Sequence, residues 1–111
     1  MTEAFPTAAQ LAEAVEEFLR DELLPALDGR LKFQTLVAAN VMAILRRELI
    51  DGPAGAAAHQ ERLASLGVAD DAALVAAIRG GEMDDRIAEV IATLRPSVEA
   101  AVKIANPKHL R

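Results

Sequence analysis

"LVAANVMAIL", residues 36–45, is nine apolar residues interrupted by a single amide, Asn40. It lies inside the longest uncharged stretch of the chain, the thirteen residues from Phe33 to Leu45. That is too short to cross a bilayer, which takes about 20 residues in a helix. Phe33, Leu36, Val37, Val41, Ile44 and Leu45 recur at helical spacing. Alanines cover much of the remaining circumference, so a helix over about 31 to 50 is expected in the middle of a helical bundle.

The same pattern extends outward in both directions. Thr7 to Gln10 reads T-x-x-Q, a capping box that opens a first helix through Leu11, Val15, Phe18 and Leu19. Pro25 removes a backbone donor and pushes against the carbonyl of Asp21, which predicts a kink or an end there. Gly29 suits the left-handed residue after a helix, and the short "LDGR" link predicts an antiparallel return. Beyond residue 50, "IDGP" is expected to close the second helix, with Pro53 in the first turn of a third that runs to about Ser65. Gly67 ends it. Asp70 caps a fourth through Leu74, Val75 and Ile78, closed by Gly80-Gly81. Asp84 is expected to cap a fifth through Ile87, Val90, Ile91 and Leu94, with Val98 and Val102 continuing the stripe to about residue 105 past a kink at Pro96. Nothing reads as a strand. The expectation is all-α: one domain over residues 1–111, a bundle of about five helices with the second central.

Composition narrows the function classes. The chain has 111 residues and no cysteine, which excludes a disulfide scaffold, a thiol nucleophile and a thiolate metal site. The N-terminal "MTEAFPTAAQ" has no basic stretch followed by an apolar one, so a secretory leader is not expected and a cytoplasmic protein is. The net charge of −5 is concentrated at one end. Residues 1–28 hold seven acids and one base, whereas residues 29–111 hold ten acids and eleven bases. Without a basic face, nucleic acid is not an expected partner. The acidic face of the first helix, Glu13, Glu16 and Glu17, reads as solvated. Alanine supplies 24 residues, which favours helix but leaves a thin core. A second copy of the chain, as a homodimer, is expected to complete that core.

Few motifs carry chemistry. "DGPAG" lacks the lysine and hydroxyl of a phosphate loop. His59 in "AAAHQERL" has no second histidine one turn away and reads as a surface histidine, so neither a metal nor a cofactor is expected. "GGEMDD" clusters carboxylates that suit the N-terminus of the following helix. Ser65 in "ASLG" follows an alanine at a helix end, unlike the carrier serine of an acyl-carrier domain. No nucleophile–base pair is visible, which argues against an enzyme.

One constellation stands out. At about 100° per residue, Phe33, Val37, Asn40, Ile44 and Arg47 share a narrow sector of the second helix. Glu22 shares a stripe with Leu11, Val15 and Phe18 on the first. These placements turn Glu22, Asn40 and Arg47 toward the interior. Together with Arg30 they are candidate binding residues around a polar pocket between helices. The alternative reading is structural: polar groups that satisfy one another. In its sharpest form, the Asn40 amide donates to the Asp21 carbonyl that Pro25 orphans.

Leu24-Pro25-Ala26-Leu27, Gly29-Arg30-Leu31, Phe33, Val37-Ala38-Ala39-Asn40 and Arg47-Glu48-Leu49 resemble the shared pattern of a family of small bacterial proteins classed as a domain of unknown function. The resemblance covers nearly the whole chain. It departs at Leu36, where arginine is expected, and at Pro96. Genes for such proteins commonly lie beside those for acyl-CoA dehydrogenases and for kinases resembling aminoglycoside phosphotransferases. The resemblance therefore implies an accessory or interaction protein near acyl-CoA metabolism, with a dehydrogenase or kinase as partner. The chain is too short to be such a dehydrogenase itself. A small-molecule binding module with an inter-helix pocket is the alternative.

Overall fold

A computed structural model describes residues 5–110. Residues 1–4, part of the stretch read above for a leader, and residue 111 lie outside the description. The protein is 86% helical, with no strand among the described residues. There are four α-helices there rather than about five: α1 (Ala8–Glu17), α2 (Gly29–Ser65), α3 (Asp71–Arg79) and α4 (Ile87–Ala105). The expected second and third helices are one. Pro53 lies inside α2 because proline's fixed φ is helical; its cost is the bond to the Leu49 carbonyl. The flanking alanines 54, 56, 57 and 58 keep the local propensity high. The chain nevertheless divides into two compact units at this point, Met1–Gly52 and Pro53–Arg111.

In the first unit, Thr7 and Gln10 form the expected capping box at 3.1 and 2.8 Å. The path does not stop at Pro25. It widens into a π-helical turn over Phe18–Leu23, where the Leu24 N–H bonds the Leu19 carbonyl, and then tightens into a 3-10 turn over Leu24–Ala26. This altered register accommodates a residue with no N–H. Gly29 has φ 62°, the left-handed conformation that turns the chain into α2.

The rotation of α2 departs from expectation. Its buried positions within this unit are Thr35, Ala39 and Ala43, spaced i, i+4, i+8, and Ala12 is the buried residue of α1. Ala39 is completely buried. Phe33, Val37, Val41 and Ile44 are exposed, Phe33 by 67%. The apolar circumference of α2 is so wide that hydropathy alone cannot choose the contact sector. Small side chains permit the closest approach, and ion pairs fix the angle. Glu16 accepts from Arg20 one turn away at 2.9 Å and from Arg46 of α2 at 3.2 Å. Its side chain is only 13% exposed, so the expectation of a fully solvated acidic face fails at Glu16 while holding for exposed Glu13 and Glu17.

The second unit has a conventional core of Leu63, Leu66, Leu74, Ala77, Met83 and Val90, with Val68 and Leu94 packed against it. Gly67, with φ 82°, terminates α2 in a Schellman arrangement: Val68 N–H bonds the Leu63 carbonyl and Gly67 N–H the Ala64 carbonyl. Asp70 caps α3 as expected, accepting from Ala73 N–H at 2.8 Å. Asp84 does not cap the next helix. A 3-10 turn over Asp84–Arg86 leads into α4, and neither start carries a side-chain cap bond. α4 runs through Pro96 to Ala105.

Burial pushes the Glu16 carboxyl up, but the bonds and charges of Arg20 and Arg46 outweigh it and hold the group below its ordinary value. Because the folded value is depressed, the stabilisation is complete above the unfolded pKa of about 4.3 and is lost as pH falls through the folded value. Glu16→Gln is expected to cost about 1–3 kcal/mol at neutral pH, the range for losing bonds to charged groups. The difference from wild type should vanish in acid, measured by urea denaturation at several pH values. A variant equally stable at pH 7 overturns the assignment.

Candidate functional site

The four sequence candidates lie in the first unit. Asn40 is exposed rather than buried, and its Oδ1 accepts from Arg20 Nη2 at 2.9 Å. This corrects the expected bond to Asp21 in every respect: the partner is the neighbouring residue, through its side chain, and the amide is acceptor rather than donor. The guanidinium reaches Asn40 because its Nε is held by Glu16, so Glu16, Arg20, Arg46 and Asn40 form one chain of hydrogen bonds across the hairpin. Arg47 is half-buried in the same sector of α2 as Asn40. Arg30 is exposed at the start of α2. Glu22 is exposed in a shallow acidic groove of about 340 Å³ along its own helix, with Ala14, Glu17, Phe18 and Asp21. Arg30 and Glu22 thus sit on exposed surface of the hairpin.

A second polar cluster, in the unit after residue 53, joins residues that no spacing motif connects. His59 lies in the last two turns of α2, Asp71 opens α3, and Ser97 follows Pro96 in α4. Nδ1 of His59 is 2.8 Å from Ser97 Oγ, and its Nε2 is 2.7 Å from Asp71 Oδ1. Arg62, one turn beyond His59, donates through Nη1 to the same Ser97 oxygen at 2.9 Å. The donor inventory leaves one arrangement for a neutral imidazole. A carboxylate only accepts, so Nε2 carries the hydrogen and Nδ1 is the lone pair. Arg62 only donates, so Ser97 Oγ accepts from it and directs its own hydrogen to Nδ1. His59 is thus not a solitary surface histidine. No group of three or more ligating side chains suited to a metal occurs among the described residues.

The cluster escaped the sequence because its members are 12 and 38 residues apart in pairs. The local signs were slight: a histidine three residues before an arginine on one helix face, and a serine directly after a helical proline.

An all-α chain with a small-residue hairpin and a separate leucine core is the class that these observations define. Residues 25–109 match the family described as Domain of unknown function (DUF6285), and the chain belongs to that family. No curated protein and no solved structure matches it. No helix among the described residues is long and apolar enough to cross a membrane.

Asn40 is solvent-exposed and the guanidinium it accepts from is also held by Glu16, so Asn40→Leu should change stability by less than about 1 kcal/mol, well below the cost of orphaning a buried group. Thermal denaturation of the two proteins side by side checks this. A loss several times larger would place the amide in the interior after all.

Proposed function

We propose that the protein is an interaction module that pairs with a second copy of itself through the outward face of α2. The supporting observation is the exposure of Phe33, Val37, Val41 and Ile44, on a hairpin whose own contact is made by alanines. A row of large apolar side chains in water is the usual sign of a docking face. Its spacing is also specific. Positions 33, 37, 40, 44 and 47 alternate steps of four and three, the seam spacing with which two helices interlock. Asn40 occupies the middle of that seam, where one polar residue sets register at some cost in stability. Leu11 and Val15 of α1 and Phe18 just beyond it are exposed as well and extend the apolar surface of the hairpin.

The finer reading rests on the family resemblance: an accessory protein in the bacterial cytoplasm, docking to an acyl-CoA dehydrogenase or to a neighbouring kinase. Affinity capture from the native host tests that part. A dehydrogenase or kinase recovered in near-equal amount supports it, and the chain recovered alone removes it.

Self-association is tested by light scattering over a wide dilution series. The expected mass is twice that of the chain at micromolar concentration. Val37→Glu with Ile44→Glu should give the single-chain mass while leaving the helical circular dichroism in place. A wild-type protein that is monomeric throughout overturns the pairing.

A further inference from the structure

We propose that Ser97, His59, Asp71 and Arg62 form a serine-nucleophile site that cleaves carboxylic esters carrying an aliphatic acyl chain. The inference is independent of self-association, since all four residues belong to the unit Pro53–Arg111. Three observations carry it.

The first is proton direction. The hydrogen of Ser97 Oγ points at a lone pair on His59 Nδ1, 2.8 Å away, and Asp71 holds the opposite ring nitrogen at 2.7 Å. A nucleophile hydrogen-bonded to a base that a third group orients is the arrangement by which serine is activated. The ring nitrogens exchange their usual partners here, but each plays the same part. The second is charge. Arg62 donates to the attacking oxygen at 2.9 Å, so a fixed cation beside Oγ eases the loss of its proton to His59. The third is access and shape. The cluster is not sealed: Ser97 is half-buried, the His59 side chain is 31% exposed and Asp71 73%. Along the same helix as Ser97 runs an apolar groove of about 350 Å³ lined by Val90, Ile91, Leu94, Arg95 and Val98. Leu94 stands one turn from Ser97, and residues three apart are neighbours on a helix surface. An acyl chain lying in that groove brings its carbonyl carbon to Oγ.

The step balances without a further reactant. Ser97 Oγ bonds to the acyl carbon and its proton passes to His59 Nδ1. The carbon–oxygen bond to the alcohol breaks, and the alcohol takes that proton. Water then attacks the acyl-serine, gives its proton to His59, and releases the acid as Ser97 recovers its hydrogen. Ser97, His59 and Arg62 are catalytic residues in this scheme. Asp71 is a positioning residue that acts through the imidazole.

The test uses the full chain. A fluorophosphonate probe should attach to the peptide that contains Ser97 and leave Ser65 unmodified. Ser65 is an internal control, because its hydroxyl donates to the Arg62 carbonyl and has no base beside it. p-Nitrophenyl butyrate should be hydrolysed with a burst of one nitrophenol per chain, and Ser97→Ala should abolish it. His59→Gln should slow labelling by roughly 100-fold or more, the contribution of a general base. Asp71→Asn should lower kcat with KM unchanged, and Asp71→Glu should restore part of it. Val98→Glu should depress the butyrate rate more than the acetate rate. Circular dichroism shows whether each variant keeps its helices, and the wild-type labelling stands without any variant. No adduct under excess probe, an adduct on another residue, or equal labelling of folded His59→Gln overturns the proposal.

Discussion

The contact on which the first half of the molecule depends is made by methyl groups. Ala12 of α1 and Thr35, Ala39 and Ala43 of α2 are its buried residues, and Glu16 ties the two helices together through Arg46. Alanine contributes little transfer free energy, at about 0.8 kcal/mol per buried CH₂. It also costs no side-chain entropy and lets two backbones come close. Everything else in the hairpin follows from that closeness. Most of the large apolar side chains of α2 in this half, Phe33, Val37, Val41 and Ile44 among them, are exposed. The carboxylate of Glu16, half-withdrawn from water at the edge of the seam, must be matched by two guanidinium groups, and Arg20 then has a donor left for Asn40.

The second unit is built differently. Leu63, Leu66, Leu74, Met83 and Val90 fill an ordinary core, and glycine-terminated helix ends set the corners. That core holds three helical segments at fixed separations, which is what allows hydrogen bonds at 2.7 to 2.9 Å among side chains from α2, α3 and α4. A loose frame would not keep four polar groups from three segments in register.

Much of this was legible in the residues. The all-α class, the capping box at Thr7, the turn at Gly29, the stop at Gly67, the cap at Asp70 and the continuation of α4 past Pro96 each have a local cause, and local causes are written in local sequence. The errors have causes too. Pro53 was expected to begin a helix because proline is favoured in a first turn, but the same fixed φ is compatible with an interior position when alanines surround it. The sector of α2 around Asn40 was expected to face inward because its large residues lie there. A helix that is apolar almost all round does not disclose which side its neighbour takes, and here closeness of approach decided the matter. The His59 cluster depends on three segments meeting, and tertiary proximity leaves no mark on spacing.

The buried alanines also reverse the ordinary pattern of mutational tolerance. In most cores the big residues are the intolerant ones, because removing them opens a cavity. Within a single chain, a swap such as valine to isoleucine at 37 or 41 crowds no residue of the hairpin's own interior. Any side chain larger than alanine at 39, which is completely buried, has nowhere to go unless the helices part. In this half of the chain, stability is therefore more sensitive to added volume at the smallest residues than to lost volume at the large ones.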